Sequence, residues 1–205
     1  MGFYARHVLP RLLDAACGCG AIAYQRKLVV PQASGDVVEI GIGSGLNLPF
    51  YDPAKVSSVT GIDPDNAIWA LAAERVAACA FPVRRLGLSG ERTDLPDASA
   101  DTVVITYSLC TIPDPEAALR EAARLLRPGG QVLFTEHGLA PDQPVARWQA
   151  RIDPVWRRMA GGCHTGRDIP AIFRRAGLQL DALQQGYVPG PRVLAYNYWG
   201  AASAA

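Results

Sequence analysis

Apolar positions along this chain follow two periods that take turns. Val37-Val38-Glu39-Ile40 and Val56-Ser57-Ser58-Val59-Thr60-Gly61-Ile62 are short β-branched runs, and the loop between them carries Gly41, Gly43 and Gly45. Runs of this kind, bounded by glycine and aspartate, predict strands. Over residues 65–80 the period becomes helical: Ile68, Leu71, Ala72, Val76 and Cys79 share one face, with Asp65 or Asn66 as the cap. Residues 82–88 predict a third strand. Residues 102–106 predict a fourth, whose unbroken apolar run implies burial on both faces. Asp114-Pro115 opens a helix with a cap and a first-turn proline, and Ala118, Leu119, Ala122, Leu125 and Leu126 form its buried stripe. Arg127-Pro128-Gly129-Gly130 ends that helix before a fifth strand at 131–136.

Downstream, residues 145–159 read as a helix in which Trp148 and Trp156 can share a face and Pro154 is expected to kink or divide the rod. Residues 161–166 form a loop, Asp168 caps a helix that runs through Arg175, and Gly177 closes it. Two strands, at 178–187 and 193–199, complete the chain. Upstream, the arm over residues 4–27 places Val8, Leu9, Leu12, Leu13 and Ala16 at helical spacing, with Pro10 set to start a helix. The arm reads as a helical lid or a flank of the sheet. Plain packing against the core is a second reading, and weak membrane-surface contact through Tyr4, Arg6 and Arg11 a third. Strands alternating with helices predict an α/β fold: an open, mostly parallel sheet with helices on both faces. The terminal strand pair fits an antiparallel hairpin at one edge.

Composition narrows the class. At 205 residues the chain suits a single domain, and 49% hydrophobic with 19% charged residues argues against disorder. A net charge of +1 gives no reason to invoke nucleic acid. No apolar run approaches the roughly 20 residues that span a bilayer, and Arg6, His7, Arg11 and Asp14 interrupt any secretory signal. Five cysteines without a C-x-x-C suggest neither zinc nor a disulfide scaffold, so no metal and a reducing, cytoplasmic setting are expected. Cys17 and Cys19 read as small residues at a helix-to-loop junction.

The glycine loop is the first chemical signal. A dinucleotide fingerprint would need glycine at position 46, where Leu46 stands. The loop here is G-x-G-x-G, preceded by Glu39 and followed one strand later by Asp63. Glycines let the backbone approach a ligand, and Asp63 can accept from a ribose. Glu39 suits a ligand with an amino-acid tail and no phosphate. S-adenosylmethionine (SAM) is such a ligand; an NAD-dependent oxidoreductase is the competing reading, and Leu46 speaks against it.

EIGIGSG at 39–45, GIDPD at 61–65, LPDASADTVV at 95–104 and LLRPGG at 125–130 together resemble the class I SAM-dependent methyltransferases, in the branch that includes the ubiquinone/menaquinone methyltransferases. LCTIPD at 109–114, EHG at 136–138, DPVW at 153–156 and GGCHTGRD at 161–168 are similar to the small-molecule thiol methyltransferases of the animal endoplasmic reticulum and their bacterial relatives. No hydrophobic N-terminal anchor like that of those animal enzymes is expected from residues 1–30. The resemblance implies a Rossmann-like, doubly wound seven-stranded sheet with only the last strand antiparallel. It divides the single domain into an arm (1–30), a cofactor half (31–137) and substrate-facing helices with the terminal strand pair (138–205).

It also implies roles. Gly41, Gly43 and Gly45 would admit the methionine tail, with Glu39 bearing on its ammonium group directly or through water. Asp63 would hold the ribose. Pro64 and Asp65 would shape the adenine side, and Gly90 with Glu91 would line the adenine edge, Glu91 reading equally as a solvated loop charge. Tyr107, Ser108 and Leu109 would lie beneath the sulfonium, where backbone carbonyls favour its charge. The product would be S-adenosylhomocysteine, and the partner a small, apolar methyl acceptor. A thiol acceptor needs little beyond positioning, because its ordinary pKa of about 8.5 leaves a useful thiolate fraction. An alcohol or phenol would need a base, for which His137 is the best placed, its other reading being a histidine hydrogen-bonded at a strand end. His164 and Cys163 are candidates for the acceptor pocket. Trp156, with Trp148, Tyr196 and Trp199, either walls that pocket or belongs to the core. The alternatives to a thiol enzyme are O- or C-methylation of a quinone, phenol or lipid-type acceptor, and a non-catalytic SAM-binding protein.

Overall fold

The computed structural model describes residues 4–204; residues 1–3 and 205 and the side chains of Ala5 and Arg6 lie outside that description, and with them the Arg6 part of the membrane-contact reading. Seven strands, β1 (Gly35–Ile40), β2 (Val56–Ile62), β3 (Val83–Leu86), β4 (Ala100–Thr106), β5 (Leu126–His137), β6 (Leu178–Tyr187) and β7 (Tyr196–Ala204), form one sheet in the order β3-β2-β1-β4-β5-β7-β6. Neighbours from β3 to β5 pair in parallel, whereas β7 is antiparallel to both β5 and β6. β7 is therefore the reversed strand, and the hairpin expected at the sheet edge is present with its second strand on the inside. The Arg127–Gly130 turn expected ahead of β5 lies within that strand, where Leu126 pairs with Ala100 across a register break.

The helices are α1 (Leu9–Cys17), α2 (Gly20–Val29), α3 (Asn66–Trp69), α4 (Ala73–Ala77), α5 (Pro115–Leu125), α6 (Gln143–Met159), α7 (Ile169–Arg175) and α8 (Arg192–Ala195). The arm is two helices rather than one, broken at Gly18-Cys19, and the helix expected over 65–80 is interrupted by a 3-10 turn at Ala70–Ala72. Asp65 is its cap, its carboxylate accepting from the backbone N–H of Ala67 and Ile68. Pro154 does not divide α6. A proline at 154 deprives the Ala150 carbonyl of its helical donor, and Ala150 is exposed, so water can replace the lost partner.

Side chains alternate along the strands between two apolar clusters, one on each face. Val38, Ile40, Val103, Ile105, Val132 and Phe134 pack toward α5 and α7, with Phe134 and Phe173 ring centroids 4.4 Å apart. Val37, Val59, Val104 and Leu133 face the other way with Val29, Val30 and Tyr51. β4 is thus covered on both faces, which is why its sequence is an unbroken apolar run. Between β1 and β4 the strand order reverses, opening a crevice at the carboxyl ends of the strands.

Candidate active site

That crevice continues into a cavity of about 960 Å³. Its floor is built from strand ends: Glu39 and Ile40 end β1, Gly41 and Gly43 follow, Asp63 stands just past β2, Tyr107 and Ser108 just past β4, and His137 ends β5. The arm closes it from above with Leu9, Leu13 and Cys17 of α1 and with Ile22 and Arg26 of α2. This places the arm where a lid would be.

At the glycine end, Gly41, Gly43 and Gly45 all have positive φ (79°, 52° and 75°), the left-handed region that glycine enters without strain. Asp63 anchors the loop: its carboxylate accepts from Gly43 N at 3.0 Å and from Asp65 N at 2.8 Å. Burial raises the Asp63 pKa against those two bonds. Pro64, Asp65 and Gly90 join the lining, and a Cβ at Gly90 would strike Ile40. Glu91 does not line the cavity; its carboxylate accepts from Asp114 N at 2.7 Å and from the Ser89 hydroxyl at 2.8 Å.

Glu39 is 1% exposed. Its carboxylate accepts from Asn47 Nδ2 at 2.9 Å and from the Tyr51 hydroxyl at 2.6 Å, and burial pushes its pKa up to about 7. Arg26, 4% exposed, donates through Nε to Asn47 Oδ1 and through Nη1 to the Cys17 carbonyl, and its guanidinium lies 5.1 Å from the Tyr107 ring centroid. A buried cation and a buried carboxylate therefore share one Asn47 at the cavity wall. Sequence reasoning found Glu39 but missed Arg26, Asn47 and Tyr51. No local motif marks them: Asn47 and Tyr51 turn back onto Glu39 from the loop after β1, and Arg26 reaches Asn47 from the arm.

A carboxyl whose pKa is raised on folding contributes stability that is present below its unfolded value and lost as the pH climbs through its folded value. Glu39 should therefore lower the stability of the ligand-free protein by on the order of 3 kcal/mol as the pH rises from about 4.5 to about 7. Glu39→Gln, which cannot titrate, should remove that component. Urea midpoints of both proteins across this range measure it, and parallel profiles would refute it.

Tyr107 has φ +52°, an unusual conformation for a tyrosine, and its hydroxyl donates to Asn197 Oδ1 at 2.8 Å. Burial raises its pKa. Ser108 Oγ donates to the Thr106 carbonyl at 3.0 Å. The backbone N–H groups of Ser108 and Leu109 both donate to Glu136 Oε1, at 2.6 and 2.9 Å. Glu136 is fully buried, and burial pushes its pKa up to about 7. It organises the turn after β4 and was legible in the sequence only as part of the EHG stretch. The Leu109 side chain is fully buried in the core rather than at the cavity.

At the far end, three side chains meet. His137 Nε2 is 3.1 Å from Cys163 Sγ, and Cys110 completes a group whose ligand atoms lie within 4.8 Å of one another. The Cys110 thiol and then His137 hold the Cys163 pKa down to about 4, while Cys110 itself is pushed well up. Burial disfavours a charged His137, yet the Cys163 thiolate outweighs it and raises the imidazole pKa. Trp156 lines the cavity here too. His164 does not: its Nδ1 turns to Asp153 at 3.4 Å, and burial lowers its pKa. Trp148 is 56% exposed, Tyr196 is in the core and Trp199 hydrogen-bonds Gln184, so among the four aromatics only Trp156 reaches the cavity.

The loop that carries Cys163 is fixed by α6. Gln149, 1% exposed, donates through Nε2 to the carbonyls of Gly138 and Thr165 and accepts at Oε1 from Ala140 N. Asp153 Oδ1 accepts from Thr165 N at 2.8 Å. The role of Gln149 is visible only in three dimensions, since its partners are Gly138 and Ala140 in the loop after β5, Thr165 in the loop after α6 and the Val193 carbonyl of α8.

Residues 38–134 match the family model described as a methyltransferase domain. A thiol S-methyltransferase from Rattus norvegicus is 32% identical over 159 residues, covering 76% of this chain and 64% of the relative. A phosphatidylethanolamine N-methyltransferase from Cereibacter sphaeroides is 37% identical over 114 residues, 55% of each chain. The chain therefore spans less than two thirds of the length of either relative. Among solved structures, a SAM-dependent methyltransferase from Leishmania major superposes with a TM-score of 0.71 at 16% identity, covering 98% of this chain and 80% of that one, a likeness of fold. By its sequence matches and by the sheet it shares with these enzymes, the chain belongs to the class I SAM-dependent methyltransferases.

Proposed function

We propose that the protein transfers the methyl group of SAM to the sulfur of a small apolar thiol. The observation that carries this reading is the single cavity running from the glycine loop to the Cys110–His137–Cys163 end, with α1 and α2 along its side. One end fits the donor. The tail of SAM carries an ammonium and a carboxylate, and Glu39 and Arg26 supply opposite charges on the same wall. Asp63 has oxygen lone pairs left for the ribose hydroxyls. The carbonyls around Tyr107 and Ser108 suit a sulfonium, which needs negative dipoles and no ionisable group.

The other end fits an uncharged acceptor. The acceptor thiol loses its proton to solvent, its thiolate attacks the methyl carbon in line with the departing sulfur, and the products are a methyl thioether and S-adenosylhomocysteine. Positioning and exclusion of water carry most of the acceleration. The match to the rat thiol enzyme supports this choice, because it spans 159 residues and so reaches past the cofactor half. Incubating the protein with SAM and a panel of thiols, phenols, amines and quinols, with mass spectrometry as the readout, should give methylated thiols first. Methylation of the other classes with thiols untouched would refute it, and no product at all alongside intact SAM binding would favour a non-catalytic SAM binder.

A lipid-type acceptor is the second reading. It is favoured by the match to the phosphatidylethanolamine enzyme and by Tyr4, Val8, Leu12, Tyr24 and Leu28, large apolar side chains left exposed on the arm. Vesicle-dependent turnover of a lipid amine in the same assay would select it.

A further inference from the structure

Cys110, His137 and Cys163 are 26 or more residues apart in the chain wherever two of them are neighbours in sequence order, so no motif announces them. Their positions are nevertheless fixed by backbone. His137 is the last residue of β5. Cys110 sits in the turn where Thr111 N and Ile112 N bond back to the Ser108 carbonyl. Cys163 follows Gly161 and Gly162, both at positive φ, and the next residue ties the two loops together: His164 N donates to the Cys110 carbonyl at 2.8 Å. All three side chains line the cavity.

We propose that Cys110 Sγ, His137 Nε2 and Cys163 Sγ form a three-ligand Zn²⁺ site whose fourth coordination position opens on the acceptor end of the cavity. The ligand atoms already lie within 4.8 Å of one another, with Nε2 and Cys163 Sγ at 3.1 Å. Zn–S and Zn–N bonds of about 2.3 and 2.1 Å would set tetrahedral ligand atoms roughly 3.5–3.8 Å apart, so closure needs small side-chain adjustments and no backbone change. Two sulfurs and one imidazole are the donor set of zinc rather than of magnesium or calcium. Three protein ligands with an open position are the pattern of a reactive zinc, not of a closed structural one.

Charge supports the same assignment. Zinc would displace the remaining thiol protons to solvent, and Zn²⁺ with two thiolates and a neutral imidazole is a neutral unit, suited to an apolar cavity. An acceptor thiol entering the fourth position would lose its proton to solvent and be held as the thiolate facing the sulfonium. This purpose rests on the thiol-transfer reading; the presence of the ion does not.

The test is elemental analysis of the full chain, reduced, loaded with Zn²⁺ and dialysed, with a competing chromophoric chelator for affinity and Co²⁺ substitution for geometry. Stoichiometric zinc is expected, together with thiolate-to-cobalt charge-transfer absorption and the visible bands of a tetrahedral site. Cys163→Ser should weaken zinc by more than the roughly 10–100-fold that outer-shell losses cost, and Cys79→Ser, whose thiol donates to the Arg75 carbonyl, should leave it unchanged. S-adenosylhomocysteine binding by each variant reports that the fold is intact. Failure of the reduced protein to hold zinc, or zinc retained by the Cys110→Ser/Cys163→Ser variant, would overturn the site. Zinc held without thiol turnover would leave the site standing and remove the thiol reading. Undiminished thiol methylation by the zinc-stripped protein would remove the purpose given to the ion.

Discussion

Gly41→Ala should abolish measurable SAM binding and destabilise the protein by about 2–4 kcal/mol, the range of a clash that the core cannot relieve. Gly41 sits at φ +79°, and a Cβ added there would land on the Ser108 hydroxyl. The neighbour cannot step aside cheaply, because Ser108 is held through its N–H by the buried Glu136 and through its hydroxyl by the Thr106 carbonyl. Relief therefore requires the end of β1 and the end of β4 to part, which is the crevice where the donor is proposed to bind. Gly43→Ala is the comparison. Its Cβ would meet nothing nearer than Ile68 Cδ1 at 3.7 Å, so only the left-handed backbone term of roughly 1–2 kcal/mol applies to its stability. Thermal denaturation of both variants separates the two effects, and equal losses would show that Ser108 is not the obstacle.

Asp63→Ala should weaken SAM by about 3 kcal/mol, roughly a hundredfold, since hydrogen bonds to a charged group contribute about 1.5–3 kcal/mol each. The substitution removes the proposed ribose acceptor and also the groups that accept from Gly43 N and Asp65 N, so the glycine loop loses its tether at the same time. Asp63→Asn keeps an acceptor oxygen and should fall between. Titration calorimetry with S-adenosylhomocysteine reads both, and an unchanged affinity in the alanine variant would contradict the ribose role. The Asp65 cap of α3 is independent of this bond through its side chain, so helical content should be kept.

The fold class and the donor end were largely legible in the chain. Period-two runs and glycine-bounded loops gave the strands, and β4 advertised its burial on both faces by having no polar alternation. The glycine loop and the Asp65, Asp114 and Asp168 caps are local features, decided by residues within a few positions of one another, and Asp63 stands at the end of the strand that follows the loop. Local preference was overruled by packing where the turn ahead of β5 was drawn into the sheet by the pairing of Leu126 with Ala100, and of the two outcomes open to Pro154 the division of α6 did not occur.

The acceptor end was not legible, for a different reason. Cys163 meets His137 across 26 residues and Cys110 joins them from the turn after β4, and at the donor end too Arg26 reaches Asn47 across 21. Such contacts depend on which strand ends and loops the sheet order makes neighbours, and neither composition nor spacing carries that information. Sequence by itself determined an α/β chain with a SAM-type glycine loop, because a βαβ unit and its turn are short-range objects. Only the tertiary structure decided that Glu39 and Arg26 would share one wall and that two cysteines and a histidine would converge, because a parallel sheet gathers the carboxyl ends of distant strands along one edge.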